Sequence, residues 1–575
     1  MWRLRKFAKP YLPTALAVMV LIFLEVLATL KLPDLMSEIV DLGIAQGNIP
    51  LIWRTGGVML LVAFLGICAA VASNFLGSRA STAFGRDMRK ALFSRVEEFA
   101  PQEFNKFGTA SLITRTTNDV QQMQMVFLMS LRMAMRAPLT AIGGVLMVVK
   151  KDARLALILL ALIPIIAVII AFVIVKGVPL FRSLQKKLDR LNLVLREQLM
   201  GVRVIRAFNR GQYERGRFAQ ANRDLTETTL TVNKIMVTLM PLVSLLTNFT
   251  SIAIIWFGAK RIDAGFMQVG DMMAFLQYSM QILFSVMMLS MLFVMLPRAS
   301  ASADRIVEVL ACEPTIKDPA EPKLPAEENG IVEFKDVTFS YPGAETPVLS
   351  NISFAARPGE ITAVIGGTGS GKSTLLDLVP RFYDIQEGSI TLDGLDIREM
   401  PLAKLRARLG YVPQRAVLFS GTIAENIRSG KQEAEAWEVE KAAQIAQAAG
   451  FIEEREEGYD AYIAQGGTNV SGGQKQRLSI ARALVRQPQV YLLDDTFSAL
   501  DYKTDAKLRQ ELTENAADAT LIIVAQRVST VLHADQIIVL EAGRMVGQGT
   551  HEELLQTCPV YREIVASQFS EEAVS

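Results

Sequence analysis

The chain has 575 residues, 51% of them hydrophobic, with a formal net charge of +2 and three cysteines. That length exceeds the roughly 100–200 residues of a single domain, and the near-neutral balance argues against a nucleic-acid or strongly acidic partner. Cys68, Cys312 and Cys558 are too scattered to suggest a disulfide or a zinc site, so a reducing cytosol is the plain reading for the soluble portion.

The basic start, Met1 to Lys9, leads into an apolar run over 11–30. This run is too long for a cleavable signal and no small-residue cleavage site closes it, so it reads as a first membrane span. A span needs about 20 mostly apolar residues. Five further segments qualify: 55–78, 130–149, 155–175, 236–259 and 272–297. Lys and Arg crowd the N-terminus and the connections 79–136 and 176–234, which places them, and both termini, on the cytoplasmic side of a cell (inner or plasma) membrane. Lys150, Lys151 and Arg154 form a local outer exception. The two long connections mix many charges with apolar residues at near-heptad spacing (Leu184, Leu188, Leu191, Leu195), so the membrane helices are expected to continue into the cytoplasm before turning. The turns near 104–112 and 201–212 are candidates for touching another domain; solvated helical hairpins are the alternative.

Three features of the spans bear on cargo. Glu25 is an intramembrane acid, suited either to a cationic substrate or to pairing with a polar neighbour or snorkelling to the outer interface. Met273, Gln277, Met280, Phe284, Met287, Met291 and Met295 follow one another at three-to-four-residue spacing in the sixth span, forming either an adaptable ligand surface or ordinary helix packing. Ser244, Thr247, Asn248 and Ser251 on the fifth span could line the same cavity or hold helices together.

A segment rich in Pro, Glu and Lys, 313–330, separates this half from alternating strand and helix patterns over 331–575, as in an α/β domain with a largely parallel sheet. There the apolar strand 361–365 runs into Gly366, Gly367, Thr368, Gly369, Ser370, Gly371, Lys372, Ser373 and Thr374 and then a helix, which is GxxxxGKS in the strand–loop–helix setting it requires. Backbone N–H groups around the glycines can close on phosphates, Lys372 can neutralise their charge, and the Ser373 hydroxyl can ligate Mg²⁺. Asp494 ends the apolar strand 490–493 and is the expected Mg²⁺ carboxylate, or else an acid capping the next turn. Tyr341 could stack on adenine or pack on its own domain. Gln414, at a strand end, could sense the metal or the attacking water. Ser471, Gly473 and Gln474 open a helix with a hydroxyl and N–H groups, a second phosphate cradle that makes most sense if it reaches a nucleotide held by another copy.

Taken in order, the phosphate loop, Gln414, Ser471-Gly472-Gly473-Gln474, the acid-ended strand and the turn Ser498-Ala499-Leu500-Asp501 resemble a half-transporter of the ATP-binding-cassette exporter family over the whole chain. The resemblance is to the multidrug-exporter-like members. It implies an α-helical six-span transmembrane domain (1–312) with long cytoplasmic helical extensions, fused through the linker to an α/β phosphate-loop nucleotide-binding domain (331–575). It further implies ATP and Mg²⁺, coupling helices at the cytoplasmic turns, and a second half-transporter chain with two ATPs sandwiched head-to-tail.

Two positions depart from the family pattern. Asp495 stands where a Glu general base is expected, and Gln526 where a His would contact the γ-phosphate. The family resemblance then implies the degenerate-site subunit of a bacterial heterodimeric exporter. Its expected cargo is amphiphilic or cationic compounds, with a lipid flippase or a regulatory ATP-binding subunit as alternatives.

Overall fold

The computed structural model describes residues 4–572, apart from the side chains of 167, 170, 173, 174, 178, 239, 240, 290–294, 297 and 569–572. The chain divides into two compact units. The first runs to Glu97 and includes Ala110–Ala311; the second joins Glu98–Thr109 to the residues from Cys312 onward. The first expected turn region, 104–112, is therefore divided between the units, and the second, 201–212, stays in the first.

Long apolar runs make the first unit helical throughout its main elements, and these helices continue through internal prolines at Pro33, Pro138, Pro164, Pro179 and Pro241. Its long helices are Leu12–Glu38, Ile49–Glu97, Val120–Lys151, Ala153–Met200, Gly211–Asp263 and Val269–Ala311. Among the described residues, five helices are long and apolar enough to cross a membrane, and the chain is a multi-pass membrane protein. The fourth expected span, 155–175, falls in the 48-residue helix Ala153–Met200, where the described apolar stretch is Ala153–Ile166. At 1.5 Å per residue, a 53-residue helix such as Gly211–Asp263 reaches about 80 Å against a hydrocarbon core of about 30 Å. The expected long extensions are present. The sharp turn into Ala153–Met200 is fixed by Asp152, whose Oδ1 accepts from the N–H groups of Arg154 and Leu155 while Oδ2 binds Arg261.

Glu25 is not free for a cationic ligand. It is buried and its carboxylate lies 3.0 Å from an Arg136 guanidinium nitrogen on the helix Val120–Lys151, so the pairing alternative holds. A lone carboxylate in an apolar bundle is costly, and a guanidinium is the side chain whose charge is never lost. Over about three turns, Met273, Gln277, Met280 and Phe284 of the methionine-rich stripe are exposed in this chain, while Ala274, Phe275, Tyr278 and Ile282 on the opposite face are buried. Met287 and Met295 are half-buried, and the Met291 side chain lies outside the described residues. Thr247 and Ser251 give their hydroxyl protons to carbonyls four residues back in their own helix.

The second unit holds two main sheets. A four-stranded antiparallel sheet orders Leu349–Ala356, Val332–Phe339, Glu387–Leu392 and Leu395–Asp396. A six-stranded sheet orders Arg544–Gly549, Gln536–Glu541, Ile361–Gly366, Thr520–Val524, Val490–Asp494 and Leu409–Val412, parallel except for its first strand. Val490–Asp494 and Thr520–Val524 are buried at every position, as expected of central strands covered on both faces. Their register pairs Val524 with both Val364 and Asp494, and Leu493 with Val412. Four strand ends thus meet at one edge, where α/β sheets bind ligands.

Breaking one side of the Glu25–Arg136 pair should cost more than removing both charges. Arg136→Ala is expected to destabilise the detergent-solubilised protein by about 3 kcal/mol, and adding Glu25→Gln should restore most of that. Thermal unfolding of the single and double variants checks it; equal losses would contradict the pairing.

Candidate nucleotide-binding site

The loop after the strand Ile361–Gly366 can wrap tightly because its glycines carry no side chain. A Cβ on Gly366 would lie 2.1 Å from the Leu540 carbonyl oxygen, and Gly371 takes φ +97° with Leu349 pressed against it. The loop borders a cleft of about 290 Å³ that also takes in Gln414, Asp494, Asp495 and Gln526. Thr368, Gly369, Ser370, Gly371, Lys372, Ser373 and Thr374 all line this cleft; Gly366 and Gly367 precede them in the loop and do not line it.

Within the loop, the Lys372 ammonium donates to the carbonyls of Gly366 (2.8 Å) and Gly367 (2.7 Å). Burial lowers its pKa below the usual lysine value, and Asp495 and Asp494 partly oppose that shift. The Ser373 hydroxyl donates to Asp494 Oδ1 at 3.0 Å. Burial raises the Asp494 pKa above the ordinary carboxylate range, against the Ser373 bond that lowers it. The Ser370 hydroxyl is buried with no hydrogen-bond partner, an uncommon and costly state that an anionic ligand oxygen would relieve. A backbone cradle, one orphaned hydroxyl and a hydroxyl–carboxylate pair fit a nucleotide with Mg²⁺. Ser373 and Asp494 could hold the metal; Gln414 spends an amide N–H elsewhere and has only its carbonyl oxygen to offer.

That elsewhere is Asp495. Its Oδ2 accepts from Gln526 Nε2 at 3.0 Å and from Gln414 Nε2 at 3.3 Å. The backbone at Asp495 is left-handed, φ +48°, and its N–H donates to Val524; Asp and Asn are the non-glycine residues that best tolerate this region. The two positions that depart from the family pattern are therefore bonded to each other.

Tyr341 is half-buried and does not line the cleft. Its ring makes edge contacts with Phe339 and Tyr383, and its hydroxyl lies 3.0 Å from the Thr374 hydroxyl. Tyr341 thus has aromatic neighbours in its own domain, and its hydroxyl is tied to Thr374 on the phosphate-loop helix. Ser471 caps the helix Gly472–Leu484: its hydroxyl accepts from Gln474 N–H at 3.3 Å, and Gln474 Oε1 accepts from Ser471 N–H at 3.0 Å. Ser471 is exposed, Gly473 and Gln474 are half-buried, and none of the three lines the cleft of this chain's own phosphate loop.

Sequence reasoning missed a brace beneath the site. The half-buried Tyr411 hydroxyl, its pKa raised by desolvation and then by Asp377, donates to Asp377 Oδ1 at 2.8 Å. This joins the strand leading to Gln414 to the helix Lys372–Leu378. The available signal was an acid inside the run Leu375-Leu376-Asp377-Leu378-Val379.

A helical membrane domain joined to a phosphate-loop domain of this geometry defines an ATP-driven membrane transporter. The family model described as ABC transporter transmembrane region matches residues 15–286, and the one described as ABC transporter matches 349–498. An "Uncharacterized ABC transporter ATP-binding protein" of Mycobacterium tuberculosis is 45% identical over 98% of this chain and 97% of its own length. An ATP-dependent lipid A-core flippase of Syntrophus aciditrophicus is 31% identical over 100% of this chain and 95% of its own. A solved bacterial Atm1-family ABC exporter with ATP bound matches with a TM-score of 0.79 at 25% identity, covering 97% of this chain and 98% of that one. The chain belongs to the ABC transporter family, as an exporter half-transporter.

The crowding at Gly366 gives a paired test. Gly366→Ala must displace the Leu540 backbone and should weaken ATP binding by roughly tenfold or more, whereas Gly367→Ala meets nothing within 4 Å and should bind within about threefold of wild type. Titration with a fluorescent ATP analogue measures both.

Proposed function

We propose that this chain is one subunit of a heterodimeric exporter of amphiphilic compounds, holding at its own phosphate loop an ATP that it hydrolyses slowly. The observation that carries this reading is the Asp495 carboxylate, one methylene short of the usual base and engaged by the amides of Gln526 and Gln414. A shorter arm withdraws the carboxylate by about an ångström, and misplacement of that size can cost on the order of 100-fold in rate. Gln526 can donate to a phosphate oxygen but cannot carry a proton's charge.

In this reading Lys372 and the loop N–H groups bind the phosphates, and Ser373 and Asp494 hold the metal. Bound Mg²⁺ supplies charge neutralisation at the β- and γ-phosphates. The phosphate-loop helix bears on Tyr341, the side chain beside which adenine would sit. The exposed Ser471 cap is available to a nucleotide on the partner chain, which supplies the competent Glu and His. Alternating access follows from closure of the two nucleotide-binding domains, with both termini cytoplasmic.

The exposed Met273–Gln277–Met280–Phe284 stripe supports amphiphilic cargo. The case for specifically cationic cargo is weaker once Glu25 is paired with Arg136. Lipid translocation is the second reading, favoured by the likeness to the lipid A-core flippase.

The double variant Asp495→Glu/Gln526→His restores both family residues. Purified in detergent, it is expected to hydrolyse ATP on the order of 100 times faster than the wild-type chain alone. Hydrolysis at full exporter rates by the wild-type chain alone would sink the slow-site reading. In cells the variant should keep exporting if the chain is a transport subunit, whereas a purely regulatory subunit would lose its regulation.

A further inference from the structure

The C-terminal helix Pro559–Glu572 carries a residue whose type does not match its position. Tyr561, Ile564, Val565 and Gln568 fall at i, i+3, i+4 and i+7, the spacing of one helix face. Tyr561 is fully buried with its hydroxyl 2.8 Å from His551 Nδ1, and Ile564 and Val565 pack against the cluster of Ala525, Val528 and Val531. A glutamine completes this otherwise apolar face.

Its amide is used at both ends. Gln568 Nε2 donates to the Gln526 carbonyl at 2.8 Å, and Gln568 Oε1 accepts from the Val528 N–H at 2.7 Å. Those backbone groups lie in the turn between the strand Thr520–Val524 and the helix Val528–Val531, where neither sheet nor helix supplies partners. Val528 is buried and Gln526 exposed, and here one side chain pairs two backbone groups two residues apart, holding the first turn of the helix to the end of the strand. The turn so held presents the Gln526 side chain to Asp495 Oδ2.

We propose that Gln568 is a positioning residue for ATP hydrolysis. It clamps the turn on either side of Arg527, and so fixes where the side chain at 526 stands relative to residue 495 and the terminal phosphate. Its effect on turnover rests on the slow-site reading above; the clamp itself does not.

The experiment uses the full-length protein and two readouts. In hydrogen exchange, Gln568→Ala should speed exchange of the Val528 amide tenfold or more. Gln568→Glu, which keeps the acceptor and loses the donor, should leave it within threefold of wild type. In ATP hydrolysis, adding Gln568→Ala to Asp495→Glu/Gln526→His should lower kcat about tenfold with KM for ATP within twofold, and Gln568→Glu should fall between. Val565→Ala in the same helix should lower the melting temperature without that kcat loss. Unchanged Val528 exchange in Gln568→Ala overturns the clamp. Equal kcat losses in Gln568→Ala and Val565→Ala, tracking their melting temperatures, overturn positioning in favour of simple helix docking. If Asp495→Glu/Gln526→His shows no gain, the slow-site reading fails; an unchanged kcat in Gln568→Ala of the otherwise wild-type chain then overturns positioning, while Val528 exchange still tests the clamp by itself.

Discussion

The strand Val490–Asp494, paired in parallel on both sides and buried at every position, is the constraint from which the nucleotide site follows. Side chains along a strand alternate between faces, so a slip of one residue would exchange Asp494 for its neighbour at the sheet edge. Apolar packing above and below forbids that slip. Because the neighbouring strands are locked to the same register, the phosphate loop, Gln414, Asp494 and Gln526 arrive together although the sequence scatters them. The polar chemistry is held by an apolar lock, and the Tyr411–Asp377 hydrogen bond adds a second tie between the strand that leads to Gln414 and the phosphate-loop helix.

Immediately past that strand the backbone turns left-handed at Asp495. This local geometry, together with the short side chain, brings the carboxylate within reach of two amide donors. A carboxylate oxygen that accepts from Gln526 and Gln414 has less capacity to accept from a nucleophile, and the two amides fix its direction. The two departures from the family pattern are therefore one structural unit: a histidine at 526 would change the partner of residue 495, and a longer acid at 495 would change the partner of residue 526. Variants of either alone are expected to couple, as contacting residues do.

The phosphate loop was legible because its function is local: consecutive residues make the cradle, and glycine is demanded by approach distances of the kind seen at Gly366. The long membrane helices were legible for the same reason, since apolar length is a property of contiguous sequence. What could not be read was which residues meet across the fold. Nothing in the sequence chooses between a free Glu25 and one paired to Arg136 on another helix. The packing of Tyr341 between Phe339 and Tyr383 depends on a sheet that forms from distant strands. The mutual bond of Asp495 and Gln526 was likewise invisible, although both positions stood out singly. Gln568 carried a readable sign, a polar residue at the fourth place of an apolar face, but its partners are backbone atoms, which leave no trace in side-chain pattern.

The first unit puts a different limit on selectivity. With Glu25 paired to Arg136, the exposed residues Met273, Met280 and Phe284 present area and polarizability but little direction, and Gln277 stands among them as a hydrogen-bonding group. In an apolar site one methylene more or less changes binding by only about 1–3 kcal/mol, and flexible thioethers soften even that by repacking. If the stripe takes the amphiphilic cargo proposed above, it would rank compounds by size and apolar area, with Gln277 as a source of orientation. On that proposal, breadth of cargo would follow from the apolar, flexible character of these exposed side chains.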